Sequence, residues 1–377
     1  MRTPETGGRY VRQEGYATDI ITDHALAWLD ARRDDDAPFC LMIHHKAPHR
    51  NWMADLKYLD LYEDVEFPEP ETLFDDYATR GDQMRQQQLT IDRHMGYAFD
   101  FKVEELKDEP TLQYIHDSWD IAMSTLTPEQ RRVWDDSYGR KNRDFLADRP
   151  EGKELLRWKY QRYIHDYCRT IRSVDDQIGR VLDYLEENGL MDNTLIVYTS
   201  DQGFLLGEHG LYDKRFMYEE SFRTPLVMRL PGGVRGDIAE MVQNIDYAPT
   251  FLELAGVAVP DDIQGVSLLP LLRGEHPAGW RRSLYYHFYE YPAEHMVRRH
   301  YGVRNDRWKL IHFYNDIDQW ELYDLQEDPH ELRNLYGLPE YAAPRREMTD
   351  ELVRLQTQYG DTLALRRNGR VTAANGN

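Results

Sequence analysis

Basic residues are in short supply. The 377-residue chain has 46 Lys and Arg against 67 Asp and Glu, a net charge of -21. A surface that acidic argues against general nucleic-acid or anionic-membrane binding, while leaving room for one local basic pocket. Cysteine is scarce as well. Cys40 and Cys168 cannot build a disulfide framework and lack zinc-site spacing. Both sit in apolar-periodic context (FCLMI and HDYCRTI), so buried, inert thiols are expected, and the count suits a reducing compartment. No apolar run approaches the roughly 20 residues that span a bilayer. The opening MRTPETGGRYVRQEGYATD has no apolar signal-peptide core. Internal repeats and low-complexity tracts are also absent. What is present is 41% apolar and 12% aromatic residues, too rich for a disordered chain and ample for one large core or two.

The order of patterns predicts an α/β protein. A first helix is expected over Thr18–Arg32, capped by Thr18 or Asp19. Pro38–Ile43 is a short apolar run that reads as a buried strand of a parallel sheet. Residues 60 to 150 are irregular and charged, with weak helices at Gly81–Gly96 and Pro128–Tyr138. A long amphipathic helix over Gly152–Asn188 stops at Asn188-Gly189. A second buried strand, Asn193–Thr199, follows, and a third at Pro225–Leu230. A helix runs from near Asp246 to Gly256. Beyond Arg273-Gly274 the rhythm changes to short consecutive strands at Leu284–Tyr289, Tyr301–Arg304, Trp308–Phe313 and Glu321–Asp324, with Asn305-Asp306 as a hairpin turn. A last helix covers about Glu340–Tyr359, and Arg366–Asn377 is polar and frayed. The expected division is a main domain over 1–280 and a smaller antiparallel subdomain over 281–377.

Two polar clusters follow predicted strands, at the sheet edge where open α/β folds bind ligands. The first runs from Thr199 to Lys214. Asp201 and Gln202 offer adjacent oxygens, one charged and one neutral, which suits a hard cation such as Ca²⁺. Gly203, Gly207 and Gly210 let the backbone turn sharply, and Lys214 returns a positive charge. The second is Lys46-Ala-Pro-His49, in which an imidazole can protonate a leaving oxygen and a lysine can hold an anion. Standing alone, each has an ordinary reading as a solvated turn or a structural histidine.

NTLIVYTSDQGFLLGEHGLYDKRFMYEESFRTPLVMRLPG resembles the second conserved region of the type I sulfatases, in the alkaline-phosphatase-like superfamily. PFCLMIHHKAPHRNW resembles their strand with a Lys-x-x-His sulfate contact. SVDDQIGRVLDYLEENGL, NIDYAPTFLELAGV and IQGVSLLPLL are similar to their linking helices and loop, and YGVRNDRWKLIHFYN with WELYDLQEDPHELRNL to their C-terminal subdomain. The resemblance implies an alkaline-phosphatase-like sheet sandwiched by helices with an antiparallel α+β subdomain. It implies that Asp201 and Gln202 are metal ligands for Ca²⁺, that His49 binds sulfate and protonates the leaving alcohol, and that Lys214 binds sulfate. Lys46, Arg50, Trp52, His209 and His300 fall where substrate contacts would be. The implied substrate is a sulfated saccharide, as in the N-acetylglucosamine-6-sulfatase-like group, with no nucleic acid or membrane partner and a periplasmic or secreted location.

The family's nucleophile is a cysteine in a Cys-x-Pro/Ala-Ser-x-Arg run, oxidised to formylglycine. Neither Cys40 nor Cys168 fits that run, and Asp34-Asp35-Asp36 does not fit the family's first Asp-Asp metal pair. The family's N-terminal segment is therefore expected upstream of Met1, and the 377 residues alone are expected to be inactive. The alternatives are a non-catalytic remnant that binds sulfated glycans and a metal-dependent phosphoesterase of the same superfamily. The last is disfavoured because Gln202 is a poor zinc ligand.

Overall fold

A computed structural model describes residues 12–362 and Ala364, and the chain divides into two compact units. The first holds the residues up to Pro70 with Thr90–Asn193, and the second holds Glu71–Leu89 with the residues from Thr194 onward. The expected boundary at 280/281 falls inside the second unit. The expected polar tail from Arg366 lies outside the described residues.

The first unit is helical. Helix α1 spans Ala17–Asp30, α2 Gln113–Ser124, α3 Pro128–Ala147 and α4 Gly152–Glu187. The expected cap of α1 does not form. Tyr16 is the N-cap residue, and Thr18 lies inside the helix, buried. Helix α3 starts at Pro128 as expected, where Thr127 closes a capping box with Gln130 and accepts from its N–H at 3.2 Å, and it runs on past Tyr138 to Ala147, with Asn142 and Phe145 buried. At 36 residues, α4 is the unit's spine. It packs along α1, with Arg180 paired to Asp23 at 2.7 Å, and it ends at Asn188-Gly189 as expected. Its buried face carries Tyr160, Tyr163, Ile164, Val174 and Leu185, but also Lys159, Arg162, Asp166 and Arg169. Arg169 bonds Asp166 at 2.9 Å and Glu63 at 2.7 Å, the pairing that buried charge requires.

The predicted strand Pro38–Ile43 is not in a sheet among the described residues. Phe39, Cys40 and Met42 are exposed, while Leu41 and Ile43 are half-buried. An apolar run becomes a strand only where a neighbour takes its N–H and C=O groups. Cys40 is therefore not a buried thiol. Cys168, on α4, is half-buried, and burial raises its pKa. Gly81–Gly96 likewise yields only single turns at Asp82–Gln86 and Ile91–His94.

The second unit holds every described strand, and all their pairings are antiparallel, where a parallel sheet was expected. Strand β1 (Ile196–Thr199) pairs with β4 (Leu226–Arg229) in the register Tyr198↔Val227. Between them lies the hairpin of β2 (Leu205–Leu206) and β3 (Tyr212–Asp213). Helix α5 spans Tyr247–Leu254, and the leucines at 268, 269, 271 and 272 form a core with Leu195, Leu226 and Met228. The predicted meander is present as β5 (Ser283–Phe288), β6 (His300–Asn305), β7 (Trp308–Phe313) and β8 (Gln319–Asp324), in that spatial order. The Asn305 side chain builds the β6–β7 turn, accepting from the N–H groups of Arg307 at 3.0 Å and Trp308 at 2.7 Å. Helix α6 (Ala342–Gln358) buries Met348, Leu352 and Leu355 on Tyr301, Val303, Leu310 and Leu322. Each such side chain contributes roughly 1.5–3 kcal/mol.

Candidate active site

In the first unit the loop after residue 43 carries the expected Lys46 and His49, both exposed. The His49 N–H donates to the Lys46 carbonyl at 2.9 Å, closing a turn. Its Nδ1 lies 2.8 Å from the Arg50 carbonyl, so Nδ1 carries a proton. Arg50 does not present its guanidinium as an open anion contact. It is buried and grips Asp100 at two points, Nε to Oδ1 at 2.7 Å and the second bond at 2.5 Å. Trp52 is fully buried, donates Nε1–H to the Pro48 carbonyl at 2.8 Å and packs on Tyr163. It anchors the loop from beneath. His45 is half-buried, and burial lowers its pKa.

In the second unit Asp201 and Gln202 stand exposed just past the C-terminal end of β1. The Ser200 hydroxyl donates to the Gln202 carbonyl at 2.7 Å and folds the chain over there. Gly203 is required by space. A Cβ would lie 2.2 Å from the Glu220 carbonyl oxygen and 2.6 Å from that of Arg223. Lys214 follows β3, half-buried, with Nζ 3.4 Å from Asp213 Oδ1. Burial alone would raise the Asp213 pKa, but the His295 hydrogen bond and the charges of Lys214 and Arg215 hold it well below the usual carboxylate range. Asp213, Arg215 and His295 were not singled out from the sequence, although an acid beside two cations was visible in Tyr-Asp-Lys-Arg.

His209 is fully buried at the tip of the β2–β3 hairpin, in a left-handed conformation with φ 56°. Its surroundings come from the Glu71–Leu89 segment. The Thr72 hydroxyl accepts its N–H at 2.9 Å, the Tyr77 hydroxyl donates to its carbonyl at 2.6 Å, and its Nδ1 lies 2.9 Å from Asp75. Asp75 is also paired with buried Arg80. Burial would raise the Asp75 pKa, but the His209 bond and the Arg80 charge bring it down to about 2. His209 Nε2 is buried with no protein partner among the described residues. His300 lies inside the four-stranded sheet, ringed by Phe216, Tyr286, Phe288 and Phe313. Its Nδ1 donates to the Arg298 carbonyl at 2.8 Å, and burial pushes its pKa down to about 4. That is the environment of a packed core histidine.

For a divalent cation the donor set fits in kind. Asp201 and Gln202 offer hard oxygen donors of the kind Ca²⁺ takes, against the six to eight it needs. Among the described residues no three His, Cys, Asp or Glu side chains converge on one cation site. Nor is any helix among them long and apolar enough to cross a membrane.

A sulfatase family model matches residues 1–257, and a model described as N-sulphoglucosamine sulphohydrolase, C-terminal, matches residues 207–358. The chain is 48% identical over 362 residues to an N-acetylglucosamine-6-O-sulfatase of Bacteroides thetaiotaomicron, covering 94% of this chain and 64% of that protein. A solved structure of a protein in complex with its substrate D-glucosamine-2-N,6-O-disulfate superposes with a TM-score of 0.87 at 47% identity, covering 94% of this chain and 72% of that one. A phosphonate monoester hydrolase from Silicibacter pomeroyi shares the fold, with a TM-score of 0.67 at 24% identity over 91% of this chain and 60% of its own. On these matches, reached from both sequence and structure, the chain belongs to the sulfatase family, with the α/β fold of the alkaline-phosphatase-like superfamily.

Proposed function

We propose that this chain belongs to a sulfuric ester hydrolase acting on sulfated saccharides, with 6-O-sulfated glucosamine derivatives as the substrate class. The observation that carries the reading is the 48% identity to an N-acetylglucosamine-6-O-sulfatase across 94% of the chain. A sulfate ester resists hydrolysis because its anionic oxygens repel nucleophiles, and its alcohol leaves poorly unless protonated. Lys214, with Lys46, supplies positive charge for the sulfate. His49 acts as the doubly protonated imidazolium, keeping its Nδ1 proton on the Arg50 carbonyl and giving its Nε2 proton to the departing alcohol oxygen, which leaves the neutral Nδ1–H ring. Asp201 and Gln202 would hold a Ca²⁺ ion, which supplies further charge neutralisation at the sulfate. The family's formylglycine supplies the nucleophile, and these 377 residues contain no Cys-x-Pro/Ala-Ser-x-Arg run to form it. Asp213, Arg215 and His295 fix the backbone that presents Lys214, while His209 and His300 support from within the unit. Residues 281–377 serve as the C-terminal subdomain, and an exported location accords with the family.

The test is sulfate release from 6-O-sulfated N-acetylglucosamine by protein that carries the formylglycine segment, with and without His49→Ala and Lys214→Ala. Release unaffected by both substitutions would overturn the assignment. The absent cysteine run favours one second reading, a chain that binds sulfated glycans without turnover. Saturable sulfated-sugar binding by the 377-residue chain, with no release in any context, would establish that reading instead.

A further inference from the structure

A proton donor works only if its proton sits on the correct atom and points outward. The His49 ring is exposed, and among the described residues only Nδ1 has a backbone partner, the Arg50 carbonyl at 2.8 Å. A carbonyl oxygen can only accept, so this contact assigns the Nδ1 proton and leaves Nε2 as the exchanging site. The geometry therefore depends on where the Arg50 peptide is held. His49 and Arg50 are neighbours in a loop with no sheet pairing, so the backbone alone does not fix it.

Arg50 is fixed through its side chain. Its guanidinium is 5% exposed and the Asp100 carboxylate 0%, and they meet in the two-point fork that only arginine makes. A third nitrogen donates to the Tyr114 hydroxyl at 3.1 Å, and the guanidinium lies 5.4 Å from the Phe99 ring centre. Asp100 is itself held by the Gly96 N–H at 2.7 Å. The Lys102 ammonium bonds the carbonyls of Phe99 and Asp100 at 2.9 and 3.1 Å, which tightens the same loop. On the far side, Asn51 donates to the Phe99 carbonyl at 3.4 Å. The whole 96–102 loop thus serves as a seat for Arg50.

We propose that Asp100 is a positioning residue for His49, acting through the Arg50 side chain to hold the Arg50 carbonyl that fixes the imidazole tautomer. This rests on the reading of His49 as the proton donor. It also gives Arg50 a different task from the anion contact its sequence position suggests. The charged and titratable groups facing the fork are Asp100, Tyr114 and Lys102. No substrate or metal takes part.

The test needs no turnover. Nitrogen-15 histidine spectra of the 377-residue chain, with His49 assigned by its loss in His49→Ala, report the tautomer directly. In the wild type the neutral ring should be protonated at Nδ1. In Asp100→Asn and Arg50→Lys, checked for fold by circular dichroism, the two tautomers should mix and the Nδ1 hydrogen-bond shift should shrink. Arg50→Lys keeps the charge and decides the matter if Asp100→Asn does not fold. A wild-type ring protonated at Nε2, or a folded Arg50→Lys variant with an unchanged His49 spectrum, would overturn the proposal. In turnover-competent protein, Asp100→Asn should lower kcat 10- to 100-fold with KM held. Failure of His49→Ala to slow sulfate release would remove the proton-donor reading while leaving the tautomer result standing, so the two failures are separable.

Discussion

Replacing His300 with phenylalanine should flatten the acid side of this protein's stability profile. His300 is fully buried among four aromatic rings, and burial, aided slightly by neighbouring His287, lowers its pKa from 6.5 to about 4. The folded state thus binds its proton less readily than the unfolded chain. The stabilisation is fully present above pH 6.5, shrinks as pH falls, and is gone once pH drops below about 4. A tenfold difference in proton affinity corresponds to about 1.4 kcal/mol, so the whole effect is roughly 3 kcal/mol, of which about 2.5 kcal/mol is lost between pH 7.5 and 4.5. Phenylalanine cannot take up the proton and fits an aromatic cage. It gives up the bond to the Arg298 carbonyl, at about 1 kcal/mol, but also removes the buried Nε2 that lacks a partner among the described residues. Urea unfolding of both proteins at pH 7.5 and 4.5 measures the difference, because all other acid-sensitive groups are common to the two. Parallel losses in wild type and variant would refute the reasoning. So would an NMR titration in which the His300 ring protonates near pH 6.5. The same variant tests the sequence expectation that His300 meets substrate. A folded His300→Phe protein with normal sugar affinity assigns the residue to packing.

In turnover-competent protein, His49→Ala and Lys214→Ala should each lower kcat/KM by a factor on the order of 10²–10⁴, read as sulfate release. The 377-residue chain alone should release no sulfate; robust release that survives both substitutions would place the chemistry elsewhere. Calorimetric titration should find weak Ca²⁺ binding to this chain, abolished by Asp201→Ala; tight binding that survives the substitution would remove Asp201 from the ligand set. Gly203→Ala should cost about 3 kcal/mol, since the new Cβ meets two backbone carbonyls, and thermal unfolding within about 1 °C of wild type would show that the turn relaxes freely.

Helix α4, the β5–β8 meander and its Asn305 turn were legible because their signals are local. Period, capping and turn chemistry lie within a few residues of the structure they specify. Pro38–Ile43 misled for the opposite reason. Its apolar content is real, but strand formation depends on a partner the pattern cannot name. The antiparallel pairing of β1 with β4 departs from the parallel sheet expected from the α/β rhythm on the same ground. Of the candidate site residues, Asp201, Gln202, His49 and Lys214 are proposed through family motifs, and the structure places them on exposed or half-buried turns. Arg50 and Trp52 were found as positions, yet the structure gives both partners inside the first unit. Asp75, Arg80 and Asp100 carried no sequence signal, because each matters through a contact dozens to hundreds of residues away.

The clamp around His209 has a consequence for biosynthesis. Asp75 leaves the ribosome 134 residues before the histidine it holds. At roughly 5–20 residues per second, that is a wait of about 7 to 27 s. Over that interval Thr72, Asp75 and Arg80 have no hairpin to grip, although the helices synthesised between them and β1 can already pack. The nascent chain would then carry an unsatisfied segment of the second unit, tethered between two stretches of the first. Arrested chains ending before Leu205 should be cut by protease within 71–89, and the full chain, in which Glu331, Leu332 and Glu321 also hold that segment, should resist.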